Sequence, residues 1–221
     1  MPERFHEELE ELKEAVVAMG RLAEEMLKDS VVALKDQDVK LADDIIKRTE
    51  DLEELDYNIE EEALRLITLH QPMASDMRTI ACILKMITYL TRIGRYGKDI
   101  AKITKITADK PHVAKLVEVP HMAEIVEGMI DDVLCTFTEC DFEKCDLSRL
   151  PTFRKRDDEV DALMDSIIRQ CLTYMMEDPK TITMCTRYIM VARHLERSAD
   201  HACKIAEKLH YMETGERVTI D

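Results

Sequence analysis

Hydrophobic residues recur at alternating spacings of three and four along most of the chain, which is the period of an amphipathic α-helix. The first such segment covers residues 4–35 and the second covers about 39–70. A third opens at Pro72, a residue suited to a first helical turn, and runs to about residue 108. Segments this long, joined by short connections, predict antiparallel helices that pack as a bundle.

The second half of the chain repeats this layout. One helical segment carries Met122, Val126 and Met129, and the next carries apolar residues from Phe153 to Tyr174. Pro179 opens the last helix as Pro72 opens the third. The stretch "TRIGRYGKDIAK" at 91–102 aligns with "ERSADHACKIAE" at 196–207, an offset of 105 residues. The prolines of "ADKPHVAKLVEVP" mark the boundary between the copies. We therefore predict an all-α fold of two tandem three-helix bundles, residues 1–110 and 111–221.

Composition narrows the class of protein. The formal net charge of −15 argues against nucleic acid and anionic membrane surfaces, which attract clustered positive charge. No uncharged apolar run approaches the roughly 20 residues that span a bilayer, and the charged N-terminus is not a signal peptide. We expect a cytoplasmic protein with no direct membrane insertion.

Seven cysteines at irregular spacing form a poor disulfide framework, and no CxxC pair suggests a zinc ribbon. Most are expected to be small core residues in a reducing compartment. Cys135, Cys140 and Cys145 recur every five residues, which would spread them around a helix. A packing or loop role is favoured for them over a thiolate metal site.

Carboxylates occupy positions on the apolar faces of the last two helices. Glu196 interrupts the apolar face of the final helix and Asp200 follows one turn later, while Asp157 and Asp161 do the same on the preceding helix. Burying such charges is costly unless protons, cationic side chains or metal ions offset it. All-oxygen ligands suit iron, manganese, magnesium or calcium. Salt bridges to Arg193, Arg197 or Lys204 are the simpler alternative.

Two stretches resemble the PhoU family of phosphate-uptake regulators. "LHQPMASDMRTIACILKM" is similar to the family's QP-x-A-x-D-[LM]-R segment, and "HLERSADHACKIAE" is similar to its LERIGDHAxNIAE signature. The resemblance covers both repeats. It implies a non-catalytic cytoplasmic regulator that acts on the phosphate ABC transporter, through its ATPase, and on the associated sensor kinase. Some members bind multinuclear iron or other metals through E/DxxxD motifs.

Carried over to this sequence, the resemblance implies four metal ligands: Asp157, Asp161, Glu196 and Asp200. Iron is the first expectation for the metal, with zinc, manganese, magnesium or calcium as alternatives. The N-terminal repeat has Thr49, Glu53, Thr91 and Arg95 at the aligned positions. Because one acid and one guanidinium remain there, we predict a direct Glu53–Arg95 pair and no metal in that half.

Further expectations concern His201 and the function class. His201 follows Asp200 but points about 100° away on a helix, so a polar or interface role is favoured over metal ligation. A metalloenzyme and a metal-free structural bundle stay open as alternatives. The sequence has no P-loop, no nucleophile elbow, and no Glu-x-x-His pair beside the acids. Met-rich amphipathic helices also lead us to expect a homodimer.

Overall fold

Six long helices form the protein in its computed structural model, which describes residues 2–140 and 147–220. The helices are α1 (Pro2–Asp36), α2 (Val39–His70), α3 (Ala74–Thr107), α4 (Glu118–Glu139), α5 (Phe153–Glu177) and α6 (Ile182–Thr214). Short 3₁₀ helices, Leu150–Thr152 and Pro179–Thr181, precede α5 and α6. The described residues contain no strand. The predicted all-α class and its six helices are confirmed.

Local chemistry explains where α2 and α3 begin. Asp38 caps α2, because its carboxylate accepts hydrogen bonds from the backbone N–H groups of Lys40 and Leu41 at 2.9 and 3.0 Å. Gln71 ends α2 in the left-handed region with φ of 49°. Met73 is extended at φ −109° and ψ 152°, so α3 begins after it. Pro72 therefore precedes α3, and its predicted place in the first helical turn is wrong.

Two three-helix bundles pack against each other. α1, α2 and α3 contact one another, as do α4, α5 and α6, and the halves meet where α1 packs on α4 and α3 packs on α6. The α1–α4 contact is close: a Cβ added to Gly20 would overlap the side chain of Leu134. Arg21 reinforces it with an ion pair to Asp131 at 2.5 Å. The α3–α6 contact therefore has α1 and α4 on one side.

Most cysteines behave as core residues. Cys82, Cys171, Cys185 and Cys203 are buried free thiols, as expected. Cys140 is disulfide-bonded, so the expectation of a reduced thiol is wrong there. Cys140 is the C-terminal cap of α4, so the chain leaves the helix at this residue and a spacing counted along a helix no longer applies. Cys145 lies outside the described residues.

None of the described helices is both long enough and apolar enough to cross a lipid bilayer.

Candidate functional site

The contact between α5 and α6 brings four carboxylates within electrostatic reach of one another. Asp157 and Asp161 come from α5, and Glu196 and Asp200 come from α6; these four residues are called the carboxylate cluster. Asp157 interacts with both Asp161 and Asp200, and Glu196 interacts with the same two residues. Asp157 and Glu196 are half-buried, whereas Asp161 and Asp200 are exposed. The structure thus places the four predicted residues on one contact surface.

Burial and mutual repulsion disfavour the charged forms of these acids. Burial, followed by the charges of Asp200 and Asp161, raises the pKa of Asp157 to about 6. Burial first and then the same two carboxylates also raise the pKa of Glu196. The pKa of Asp161 is raised by burial and by Asp158. The cluster therefore holds more negative charge than its surroundings stabilise.

Cationic side chains give only partial compensation. Arg197 and Arg193 lower the pKa of Glu196 from a distance. Asp157, Asp161 and Glu196 make no ion pair with any described residue, although Arg193 and Arg197 lie on the same helix as Glu196. The alternative of simple salt bridges is thus not supported for these three acids.

Cys203 is a neighbour of the cluster that the sequence interpretation did not assign to the site. Its thiol is hydrogen-bonded to Asp157, which lowers the pKa of that carboxyl. Burial, Asp157 and Asp200 together raise the pKa of the thiol, so Cys203 stays protonated and donates. The signal was present in the sequence, because Cys203 lies one helical turn beyond Asp200, on the buried face of α6.

The side-chain types of the carboxylate cluster suit a cation, but the positions of these side chains do not hold one ion together. Oxygen ligands and uncompensated negative charge are the conditions that bind hard divalent or trivalent ions. Among the described residues, however, no three His, Cys, Asp or Glu side chains are placed to hold one ion together. Binding of an ion would therefore require the side chains of the cluster to rearrange. The metal site stays a prediction.

The equivalent positions in the N-terminal half hold a direct ion pair. Arg95 Nη2 donates to Glu53 Oε1 at 3.0 Å, with the two side chains 54% and 49% exposed. The predicted bridge between α2 and α3 is therefore confirmed. The guanidinium of Arg95 neutralises the carboxylate of Glu53, whereas Asp157, Asp161 and Glu196 make no ion pair with a described residue.

The two threonines at the remaining equivalent positions differ in their hydrogen bonds. Thr91 Oγ1 lies 3.0 Å from a carboxylate oxygen of Asp56 and 2.9 Å from the carbonyl oxygen of Ile87. Thr49 is buried, and its hydroxyl has no hydrogen-bond partner among the described residues. Neither threonine adds charge to this half.

His201 packs between the two halves, as the favoured interface role predicts. Its ring is nearly parallel to that of Tyr96, at 8° with centroids 5.8 Å apart, and it stacks on Tyr89 at 5.4 Å. Burial, followed by the charge of Arg92, lowers its pKa to about 4. The sequence interpretation missed the tyrosines, although the offset of 105 residues that relates the repeats aligns Tyr96 with His201.

Comparison with known proteins places the whole chain beside one family. The family model of the PhoU domain matches residues 16–104 and again residues 119–209. A phosphate-specific transport system accessory protein PhoU homolog of Rhizobium meliloti is 39% identical over 96% of this chain and 87% of its own length. A homolog of the same name from Caulobacter vibrioides is 39% identical over 97% of this chain and 92% of its own length.

Solved structures agree with this assignment. The crystal structure of PhoU from Pseudomonas aeruginosa superposes with a TM-score of 0.89 at 33% identity, covering 96% of this chain and all of that one. The phosphate transport system regulatory protein PhoU from Streptococcus pneumoniae gives a TM-score of 0.86 at 27% identity. It covers 97% of this chain and 99% of that one. The resemblance first read from two sequence stretches therefore holds over both repeats.

Proposed function

Because the chain belongs to the PhoU family, we propose that it is a non-catalytic cytoplasmic regulator of phosphate uptake and phosphate-starvation signalling. The observation that carries the proposal is the near full-length match to accessory proteins of phosphate-specific transport systems. The family model matches both repeats of the chain. A regulator of this kind acts by contact with other proteins, so the residues that carry its function lie on its surface.

The proposed partners are the ATPase of a phosphate ABC transporter and the associated sensor kinase. The test is affinity capture from the native cell, grown in high phosphate and under phosphate starvation, followed by mass spectrometry. The proposal expects the ATPase or the kinase to be enriched over a mock capture, with an amount that changes between the two conditions. Recovery of neither protein in either condition would contradict it.

The proposal includes a metal ion at the carboxylate cluster, with Asp157, Asp161, Glu196 and Asp200 as its ligands and iron as the first candidate. Bound there, an ion would supply the positive charge that the cluster lacks and would join α5 to α6. The support is that burial, followed by neighbouring carboxylates, raises the pKa of Asp157, Asp161 and Glu196 and so disfavours their charged forms. The metal would then shape a contact surface and take no part in a reaction.

Metal content measured on protein purified without an affinity tag tests this part. The double variant Glu196→Ala and Asp200→Ala should lose most of the bound metal and keep its helical circular dichroism. Glu53→Ala, a carboxylate at an equivalent position of the N-terminal half, is the matched control and should keep it. Equal metal content in all three proteins would remove the cluster from the proposal.

A homodimer is also proposed. Leu64, Leu69 and Met73 are large apolar side chains that are 51%, 61% and 78% exposed on the N-terminal bundle. Exposed apolar surface of this kind favours association. Light scattering coupled to size exclusion should give twice the 25.6 kDa mass of one chain. Replacing Leu69 and Met73 with serine should shift that mass toward one chain.

A further inference from the structure

The contact between α3 and α6 carries two facing stripes of polar and aromatic side chains at helical spacing. The stripe on α3 consists of Lys85, Tyr89, Arg92, Tyr96 and Asp99, and the stripe on α6 consists of His194, Arg197, His201, Lys204 and Lys208. Together they are called the basic seam. Ring contacts join the stripes: His201 stacks on Tyr89 and Tyr96, and Tyr96 contacts His194 at 5.4 Å. With α1 and α4 on the opposite side, the seam lies on the outer side of the α3–α6 contact.

The seam is cationic in a chain that is strongly acidic. It contains five Lys or Arg residues and one carboxylate, whereas the whole chain has 31 Lys and Arg against 46 Asp and Glu. The carboxylate of Asp99 already pairs with Lys102, and Lys204 pairs with Glu207. The seam therefore has an excess of positive charge in an acidic chain.

Four of its cations have no partner in the part of the chain that the structure describes. Lys85, Arg92, Arg197 and Lys208 make no ion pair and no side-chain hydrogen bond there. Where acids outnumber bases, a surface cation readily acquires an acidic neighbour on its own helix. These four cations can therefore contact an external anion.

The two arginines are held beside the ring stack. Arg92 and Arg197 both lower the pKa of His201, so both guanidinium groups lie within electrostatic reach of that ring. They occupy equivalent positions of the two repeats, 105 residues apart. The ring nitrogen Nδ1 of His194 is also buried without a hydrogen-bond partner among the described residues.

We propose that the basic seam is the docking surface for an acidic segment of a partner protein, with Arg92 and Arg197 as its central anchors. From Lys85 to Asp99 the seam is about 20 Å long at 1.5 Å per helical residue, which matches about six residues of extended chain. Guanidinium groups bind carboxylates in bidentate geometry, and the neighbouring rings provide flat apolar contact.

An acidic peptide is favoured over nucleic acid and membrane by the charge outside the seam. A nucleic acid or an anionic bilayer presents negative charge over a large area, which the net charge of −15 repels. A short acidic segment of a protein contacts only the seam, where the side chains are cationic. The inference deepens the proposed function and rests on it in one respect, namely that the chain works through protein contacts.

Fluorescence anisotropy with fluorescein-labelled hexaglutamate tests the inference on the full chain. The wild-type protein should bind the peptide, and binding should weaken as salt rises from low to physiological concentration. Arg92→Glu combined with Arg197→Glu should raise the Kd roughly tenfold or more, since two attractions become repulsions. Arg154→Glu, which changes an exposed arginine on α5 outside the seam, is the matched control and should leave the Kd within about twofold.

Three results would overturn the inference: no binding of hexaglutamate by wild type, equal Kd in the seam double variant and wild type, or tighter seam-dependent binding of oligo-dT or phosphatidylglycerol vesicles. Circular dichroism verifies folding, and the Arg92→Gln and Arg197→Gln pair replaces the charge reversals if these unfold. Capture of the transporter ATPase or sensor kinase with the double variant separates the two proposals. If the double variant captures as much partner as wild type, the docking role of the basic seam is contradicted and the proposed function stands. If wild type captures neither partner, the proposed function is contradicted, and the peptide titration still tests the basic seam.

Discussion

In the N-terminal bundle the carboxylate of Glu53 meets the guanidinium of Arg95 at 3.0 Å, whereas the C-terminal bundle has Asp161 and Asp200 at the same two positions. The first pair neutralises itself. The second pair adds to a cluster in which Asp157 has its pKa raised to about 6. The same arrangement of helices thus accommodates an ion pair in the N-terminal half and a cluster of carboxylates in the C-terminal half.

Glu8 illustrates the N-terminal behaviour at another place. Hydrogen bonds from Arg4 and Arg65 lower its pKa to about 2, so its charged form is favoured, opposite to Asp157. The arrangement of the helices therefore does not determine whether a carboxyl group is stabilised in its charged or its protonated form. The residues at a few equivalent positions decide it, since Glu53 has an arginine partner and Asp157 is placed near Asp161 and Asp200.

The halves also differ in how closely their helices approach. A Cβ added to Gly97 of α3 would lie 2.7 Å from the carbonyl carbon and oxygen of Met26 in α1. The aligned residue of the C-terminal half, 105 positions later, is the buried Ala202. The α1–α3 contact therefore depends on a glycine, and its equivalent contact does not.

The largest expected effect comes from Gly97→Ala. The added methyl group meets backbone atoms, which cannot rotate away, so α1 and α3 must separate at a cost of about 3 kcal/mol. Urea denaturation followed by circular dichroism measures the loss. Gly128→Ala in α4 is the control, because its nearest neighbour is a side-chain nitrogen of Arg156 at 3.8 Å; it should gain about 0.5–1 kcal/mol from helix propensity. Similar losses in both variants would contradict the comparison.

Asp157→Asn should stabilise the metal-free protein above pH 6. The pKa of this carboxyl is 3.8 in the unfolded chain and about 6 in the folded protein. The folded state therefore binds more protons than the unfolded state between these two pH values. Stability of the wild type therefore falls as pH rises through this window. The gain for the variant is about 1.5 kcal/mol at pH 7, half the full electrostatic value because water screens a half-buried group.

This prediction is checked by urea denaturation at pH 3.5 and pH 7 in the presence of a chelator. The advantage of Asp157→Asn should be present at pH 7 and nearly absent at pH 3.5. Asp158→Asn changes an exposed neighbour on the same helix and serves as the control. A variant that is less stable than wild type at pH 7 would show that the charge is compensated.

The two threonines of the N-terminal half should respond differently to loss of their hydroxyl groups. Thr91→Val removes the contact with Asp56 and should cost about 1 kcal/mol. Thr49→Val removes a buried hydroxyl without a described partner and should be neutral or slightly stabilising. Paired urea curves measure the difference, and equal costs would mean that Thr49 makes a bond equivalent to that of Thr91.

The smallest effect is expected for Arg95→Asp, which converts the N-terminal pair into two facing acids. Because both side chains are about half exposed, the loss should be about 0.5 kcal/mol. Added Mg²⁺ or Mn²⁺ should recover part of it by binding between the acids. Lys85→Asp, on the same helix but outside this ion pair, should show no such recovery. Recovery in both variants would indicate a general effect of salt.

Several features followed directly from the sequence. The helical period placed α2 at about 39–70, and the structure has it at Val39–His70. Alignment of the E/DxxxD motifs paired Glu53 with Asp161, and the offset of 105 residues paired Arg95 with Asp200. These two pairings were sufficient to predict the Glu53–Arg95 pair. These inferences succeed because helical spacing is local and an internal repeat transfers one half's geometry to the other.

Other features depend on contacts between residues that are distant in the chain. The raised pKa of Asp157 requires α5 to pack on α6, and the stacking of His201 on Tyr96 requires α3 to cross α6. The sequence determined the helices and their repeat, and it named four carboxylates as predicted ligands of a cation. Only the tertiary structure decided which faces meet, how deeply Asp157 is buried and which cations stay unpaired, because burial and electrostatic coupling depend on distances that no sequence spacing specifies.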